Sequence, residues 1–100
     1  MPKRLEPIPP GEILVEEFLK PLGVSQNQLA RALGVAPSRI NDIVHGRRGM
    51  SAETALGLAL FFGTTPEFWL NLQTRYDLKA AERAHGKSLR RRIAAERRAA

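Results

Sequence analysis

The stretch that most constrains the fold of this chain covers residues 25–46, SQNQLARALGVAPSRINDIVHG. Ser25 is a residue type that caps the first turn of a helix, and Gly34 is the type that ends one. Pro37 is suited to begin a second helix, because a first-turn position does not need the missing N–H; that helix ends at Gly46. A joint of only about three or four residues makes the two short helices cross steeply. The stretch therefore predicts a helix-turn-helix.

The length and composition of the chain limit the other possibilities. One hundred residues make a single domain. The chain has no cysteine, so it has neither a disulfide framework nor a thiolate metal site. It shows no apolar run of membrane-spanning length, and MPKRLEPIPPGE lacks the apolar core of a secretion signal. We therefore expect a cytoplasmic protein without a membrane association.

The formal net charge of +6 is concentrated at one end of the chain. Residues 1–78 contain as many acidic as basic side chains, whereas residues 79–100 contain eight basic and two acidic ones. Within the neutral body, residues 25–48 carry four arginines against the single acidic Asp42. A basic face on a neutral domain is typical of a phosphate-binding surface.

The segments before the motif are predicted to be an arm and one helix. Residues 1–10 contain four prolines and should form an extended arm, which either frays, packs across the domain or pairs with another chain. The first helix should run from Gly11 to Lys20 and end at Pro21, because proline cannot continue a helix.

Two further helices are predicted after the motif. Residues 52–62 are apolar nearly all round, which predicts a central buried helix, and Gly57 within it indicates close approach of a neighbour. The last helix should begin at Pro66 and end or break at Gly86. Leu70 and Leu78 fall off its apolar stripe, so either the N-terminal arm covers them or they form a dimer or partner interface.

The fold class expected from this pattern is all-α, with five helices and no strands. The domain organisation is an arm at residues 1–10, a DNA-binding domain at residues 11–85 and a basic tail at residues 86–100. The tail has few apolar anchors, so we expect it to be disordered or a frayed helix when free. Its charge either adds nonspecific DNA affinity or binds an acidic partner.

The second helix of the motif would carry the residues that read DNA. With Ile40 and its apolar neighbours inward, its N-terminal end is the part that enters the major groove. Ser38 can reach a base edge, Arg39 can pair with guanine or hold a phosphate, and Asn41 can pair with adenine. Asp42 would repel phosphates unless it accepts from a cytosine amine or is held by an arginine.

Other polar residues would hold the phosphate backbone. Gln26 lies in the first turn of the first motif helix, where free amides suit a phosphate oxygen. Three arginines would add contacts that are salt-sensitive but not selective for sequence: Arg31, Arg47 and Arg48.

The phrases PPGEILVEEFLKPLG and GTTPEFWLNLQTRYDL on either side of the motif add a family resemblance. The motif is similar to the phage-repressor (Xre) type of helix-turn-helix, and residues 7–81 together resemble the HigA-type (VapI-like) antitoxins of bacterial toxin–antitoxin modules. The resemblance implies a dimer that represses its own operon and neutralises a co-encoded, RelE-like mRNA endonuclease. It also implies a backbone contact for Gln26 and dimer contacts from the last helix. Positions that would read bases by this resemblance are Ala36, Pro37, Ser38, Arg39 and Asp42.

Three alternatives differ in function class. A stand-alone Xre-type repressor without a toxin would look the same in these residues. An enzyme is disfavoured, because His45 and His85 lack a nucleophile or carboxylate at useful spacing and the chain has neither a glycine-rich phosphate loop nor a metal-ligand cluster. A basic RNA-binding protein is disfavoured by the few aromatics available for stacking on bases. The chain is thus expected to need no cofactor or metal.

Overall fold

Five helices account for most of residues 6–99, the part of the chain that the computed structural model describes. Helix α1 is built from three consecutive stretches, Pro10–Ile13, Leu14–Leu19 and Lys20–Leu22. The others are α2 (Gln26–Leu33), α3 (Pro37–Val44), α4 (Ala52–Phe62) and α5 (Pro66–Ala99). No strand occurs among the described residues, so the predicted five-helix, all-α class is confirmed. Of the predicted arm, residues 1–5 lie outside the described residues, and 6–9 have no regular structure.

Helix α1 does not end at Pro21 as predicted. Its middle stretch, Leu14–Leu19, is a π-helix, in which the N–H of Lys20 donates to the carbonyl of Val15. The wider turn shifts the hydrogen-bond register, so that Pro21 sits in the first turn of a new α-helical stretch, where its missing N–H is tolerated. The helix ends at Gly23, which has a φ of 68°.

The core is organised around Trp69, which is fully buried on the first turn of α5. Its ring centroid lies 4.9 Å from that of Phe18 and 5.0 Å from that of Phe68, and its Nε1–H donates to Thr64 Oγ1 at 2.7 Å. The remaining fully buried large side chains come from four different helices: Leu14, Leu29, Ile40, Ile43 and Leu58.

Two glycines allow close packing of helices. A Cβ on Gly11 would lie 2.0 Å from the backbone oxygen of Ile43, so α1 begins directly against the end of α3. A Cβ on Gly57 would lie 3.0 Å from Leu33 Cγ, which confirms the close approach predicted for that position. The helix-turn-helix is thus packed from two sides, by α1 and by α4.

The prediction that α4 is a central buried helix is wrong. Leu56, Leu60 and Phe61 are 51%, 78% and 42% exposed, whereas Leu58 and Ala59 on the other side are buried. Helix α4 packs against α2 and α5 and reaches α1 through the ring contact of Phe62 with Phe18, but a five-helix domain has too few elements to surround it. Helix α4 therefore has apolar residues on all sides but is buried on only one side.

The prediction that Gly86 ends or breaks the last helix is also wrong. Helix α5 runs for 34 residues through Gly86 to Ala99, so residues 86–99 are helical rather than disordered. Gly86 is buried under Glu82, whose carboxylate crosses it and pairs with Arg90 one turn further on. At about 1.5 Å per residue the helix is about 51 Å long, close to the 56 Å longest dimension of the molecule.

Candidate DNA-binding surface

The first motif helix, α2, begins with a complete capping box. Ser25 Oγ accepts from the Gln28 N–H at 3.0 Å, and the Ser25 N–H donates to Gln28 Oε1 at 2.8 Å. The cap leaves the other first-turn amides, including that of Gln26, to an acceptor from outside the helix. Gly34 ends the helix with a φ of 70°, and Pro37 begins α3, both as predicted.

A hydrogen-bonded chain of side chains links α2, α3 and the loop after α3. Asn41 Nδ2 donates to Gln26 Oε1 at 3.3 Å, and Asn41 Oδ1 accepts from Arg47 Nη2 at 2.7 Å. Arg47 Nε also donates to Asp42 Oδ1 at 3.1 Å. Because Oε1 of Gln26 is engaged as an acceptor, its Nε2 remains available to donate outward. The network therefore presents donors on a surface where a phosphate would accept.

Two consequences follow for residues that the sequence singled out. Asp42 is held by Arg47, one of the two ways in which its charge could be tolerated beside phosphates. Asn41 uses both ends of its amide inside the protein, so it aligns Gln26 and Arg47; its assignment as an adenine reader stays a prediction.

The N-terminal end of α3 is the most accessible part of that helix. Ala36, Pro37 and Ser38 are exposed, and the cap carries no side-chain hydrogen bond that would block the first turn. Arg39 is half-buried on the opposite flank of α3 from Asn41, in a groove of 340 Å³. This groove lies between α2, α3 and α4 and is lined by Ala32, Leu33, Val35, Arg39, Glu53, Thr54, Gly57, Leu60 and Phe61.

The loop after α3 is fixed to both of its neighbours. The backbone N–H groups of Arg47 and Arg48 donate to the carbonyl of Asp42 at 2.8 and 3.2 Å. The Met50 N–H donates to Gln73 Oε1 on α5 at 2.8 Å, and Gln73 Nε2 donates onward to Asp77 at 2.9 Å. Gln73 thus holds the arginine-bearing loop against α5.

The predicted DNA-contact residues fall into three groups. Four of them share the network: Gln26, Asn41, Asp42 and Arg47. Ala36, Pro37, Ser38 and Arg48 are exposed beside it, while Arg31 is exposed on the last turn of α2 and Arg39 lies on the far flank of α3. Sequence reasoning missed the positioning role of Gln73, although a glutamine on an otherwise apolar stripe was a usable signal.

The two residues predicted for an interface differ in their surroundings. Leu70 is half-buried and packs against the core, so it does not lie on the outer face of α5 as expected. Leu78 is 66% exposed. The interface was predicted because both leucines were expected on the outer face of the last helix, and only Leu78 lies there.

Two other features are absent from residues 6–99. No three His, Cys, Asp or Glu side chains there are grouped so as to hold a metal ion. None of the helices in that range has the length and apolarity needed to cross a lipid bilayer.

Comparison with known proteins agrees with this geometry. A family model described as "Helix-turn-helix" matches residues 15–69. Virulence-associated protein I of Dichelobacter nodosus is 60% identical over 75 residues, which are 75% of this chain and 69% of that protein. The chain belongs to the helix-turn-helix family, in the group that contains the HigA-type antitoxins.

Two solved structures of HigA-type antitoxins extend the comparison. Antitoxin GraA is 55% identical with a TM-score of 0.82, and the match covers 86% of this chain and 92% of that one. Pseudomonas aeruginosa antitoxin HigA, solved with the higBA promoter, is 48% identical with a TM-score of 0.82 and coverages of 84% and 91%. The family is one of DNA-binding regulators rather than a class of enzymes. The predicted resemblance to HigA-type antitoxins is therefore confirmed.

Proposed function

We propose that this chain is a dimeric, sequence-specific antitoxin of a type II toxin–antitoxin module. It represses its own operon and neutralises a co-encoded, RelE-like mRNA endonuclease, and it acts in the cytoplasm, where the promoter lies. The observation that carries the DNA-binding part is the network from Gln26 through Asn41 to Arg47 beside the exposed start of α3. Two relatives solved with DNA support it, antitoxin HigA with its promoter and antitoxin GraA with its operator.

DNA binding would divide the surface into positioning and reading parts. The Gln26 amide and the first-turn amides of α2 would hold one phosphate, and Arg47 and Arg48 would hold others. With both sides of α3 held this way, its N-terminal end would enter the major groove. Ser38 and Arg39 are then the residues placed to contact base edges, with Arg39 able to pair bidentately with guanine.

A general property of operator recognition supports the proposed dimer. Two copies related by a two-fold axis present their α3 helices to half-sites about 34–36 Å apart on a palindrome. The outer face of α5 supplies an apolar stripe for the second copy. Leu78, Leu89 and Ile93 are 66%, 49% and 53% exposed, and their separations of eleven and four residues place them on one helix face.

The assignment of the dimer interface to α5 can be tested by comparison with α4, which also has an exposed apolar face. We expect Leu78→Glu to give a monomer in analytical ultracentrifugation, because two buried carboxylates would then oppose each other. Leu60→Glu on α4 changes a more exposed leucine in the same way and should leave a dimer. A monomer from Leu60→Glu and a dimer from Leu78→Glu would instead assign the interface to α4.

Operator binding is tested with the DNA upstream of the coding sequence. In fluorescence anisotropy with that duplex and a shuffled one, the wild-type chain should prefer the upstream duplex by at least about 10³-fold. Asn41→Ala should weaken binding to both duplexes, since it releases Gln26 and Arg47, and should leave the circular dichroism spectrum unchanged. Equal binding of the two duplexes by wild type would refute sequence-specific repression from this promoter.

The antitoxin part requires a toxin gene next to this one. Expression of the adjacent open reading frame alone should arrest growth, and co-expression of this chain should restore growth and yield a co-purifying complex. Rescue by a variant with a reduced preference for the operator, such as Arg39→Ala, would separate neutralisation from repression. If the adjacent frame is harmless and forms no complex, the chain is a stand-alone repressor.

A further inference from the structure

The second half of α5 differs from the first half in what surrounds it. Up to Asp77 the helix lies against the domain, where Gln73 accepts from the loop amide of Met50 and Asp77 lines one depression with Arg47. Beyond Asp77 it continues to Ala99 without packing on the core. At about 1.5 Å per residue this projection is about 33 Å long, close to one turn of B-DNA.

The basic side chains of the projection lie mostly on one face. Because about 18 residues make five helical turns, Lys87 lies on the same face as Trp69, and Arg91 on the same face as Gln73. Trp69 and Gln73 face the domain, so the basic face of the projection points to the side of α5 on which the domain lies. Three exposed basic residues are centred on this face: Lys87, Arg91 and Arg98.

The projection leaves the domain beside residues already assigned to phosphates. Tyr76 and Asp77 of α5 line one depression together with Arg47 and Arg48 of the loop. A helix that starts there and turns its cations to the domain side continues the positive surface of that loop. Glu82, one of the two acidic residues of the segment, is paired with Arg90, so it detracts little from this charge.

We propose that residues 79–99 form a second DNA-contacting element, a rigid basic helix that binds duplex phosphates next to those held by Arg47 and Arg48. The proposal rests on the DNA binding proposed above. The partner is the phosphate backbone of a duplex, because the face is a row of exposed cations along one helix. The helix adds affinity and salt dependence but no sequence selectivity.

The test neutralises this face in the full-length chain. We expect Lys87→Gln, Arg91→Gln and Arg98→Gln together to make the slope of log affinity against log salt shallower by about 2 to 3 per protomer. The affinities for the upstream duplex and for a shuffled duplex should fall by the same factor, at least about tenfold at 0.1 M salt. Glutamine keeps the helix propensity, so circular dichroism should be unchanged.

Two neighbouring arginines provide a matched control. Arg92 lies on the same face as the exposed Thr74, away from the domain, and differs from Arg91 only in its direction. Arg91→Gln should reduce the slope by about 0.9, whereas Arg92→Gln should leave it unchanged. Equal effects of the two would mean a general charge effect and would overturn the proposal.

The outcomes also separate this inference from the proposed function. If the shuffled duplex shows the slope change but the upstream duplex is not preferred, the tail binds phosphates and the operator proposal fails. If the preference is intact and the triple variant keeps the full slope, the operator proposal stands and the tail proposal fails. An acidic protein segment would then be the remaining candidate for the basic face.

Discussion

The two halves of α5 share one helix but are stabilised in different ways. In the first half, Trp69 is fully buried among aromatic rings and Gln73 fixes the loop after α3. In the second half, every residue from Lys87 to Ala99 is exposed, and Arg90 forms an exposed ion pair with Glu82. The comparison shows that a single helix can be part of the core at one end and a charged surface at the other.

The division of charge follows the same boundary. Residues 1–78 are neutral, so their few arginines act through position, as Arg47 does through Asn41. Residues 79–100 carry the whole excess of +6, and in our proposal they act through charge density. We therefore expect substitutions in the first half to alter stability and selectivity, and those in the second half to alter salt dependence.

The sharpest test of the comparison replaces, one at a time, two residues that lie on the same face of α5 but five turns apart. Trp69→Ala should destabilise the domain by about 3–5 kcal/mol, because a large buried ring and its hydrogen bond to Thr64 are lost. Lys87→Ala should change the free energy of unfolding by less than about 0.5 kcal/mol. Urea unfolding followed by circular dichroism measures both.

A small loss of stability in Trp69→Ala, or a large one in Lys87→Ala, would contradict a boundary at Asp77 between a core half and a surface half of α5. Trp69→Phe serves as a control that keeps an aromatic ring but removes the Nε1–H and part of the indole. Its free energy of unfolding should lie between those of the wild type and Trp69→Ala. Thr64 Oγ1 loses a donor in both variants, but the cavity left by phenylalanine is smaller than the one left by alanine.

The second test compares selectivity with affinity. Arg39→Ala should reduce the preference for the upstream duplex by about 1–3 kcal/mol, roughly 5- to 160-fold, because a bidentate base contact is lost. The triple tail variant should keep that preference while losing affinity. Competition binding with upstream and shuffled duplexes measures the ratio directly.

Arg39 also packs in the groove beside Leu33 and Glu53, so its removal has a structural component. Arg39→Lys controls for this, because it keeps an aliphatic stem and a charge but cannot pair bidentately. Loss of preference in Arg39→Lys as well as Arg39→Ala supports base reading. A preference retained in both variants would remove Arg39 from the reading residues.

Local chemistry predicted the helix-turn-helix well. The Ser25 cap, the end of α2 at Gly34 and the start of α3 at Pro37 depend on a residue and its nearest neighbours, so they could be inferred directly. The family was predicted from longer phrases in the sequence. The assignment of individual side chains to bases, however, still rests on prediction.

Features that depend on distant partners were missed or misjudged. Pro21 was expected to stop α1, but a π-helical stretch before it shifts the hydrogen-bond register. The burial of α4 depended on how many helices reach it, which periodicity does not report. The contact of Gln26 with Asn41 joins residues 15 apart, and it depends on the crossing of two helices rather than on either one.

The smallest effect is expected at Gly86, inside the projecting half of α5. Alanine there should favour the helix by up to about 1 kcal/mol, because glycine is the weaker helix former. Its Cβ would lie 2.6 Å from the Glu82 carboxylate, so that side chain must move away and its pair with Arg90 is lost. Both partners are more than half exposed, so this loss costs little.

Gly86→Ala should therefore slow amide hydrogen exchange in residues 82–99 by up to about fivefold and leave the melting temperature of the domain unchanged. Glu82→Gln is the control, because it weakens the ion pair without adding a methyl group and should not slow exchange. A shift in the melting temperature with Gly86→Ala would mean that the projecting half is coupled to the core. In that case the boundary at Asp77 would not separate two independent halves, and the basic helix would transmit its contacts to the reading helix.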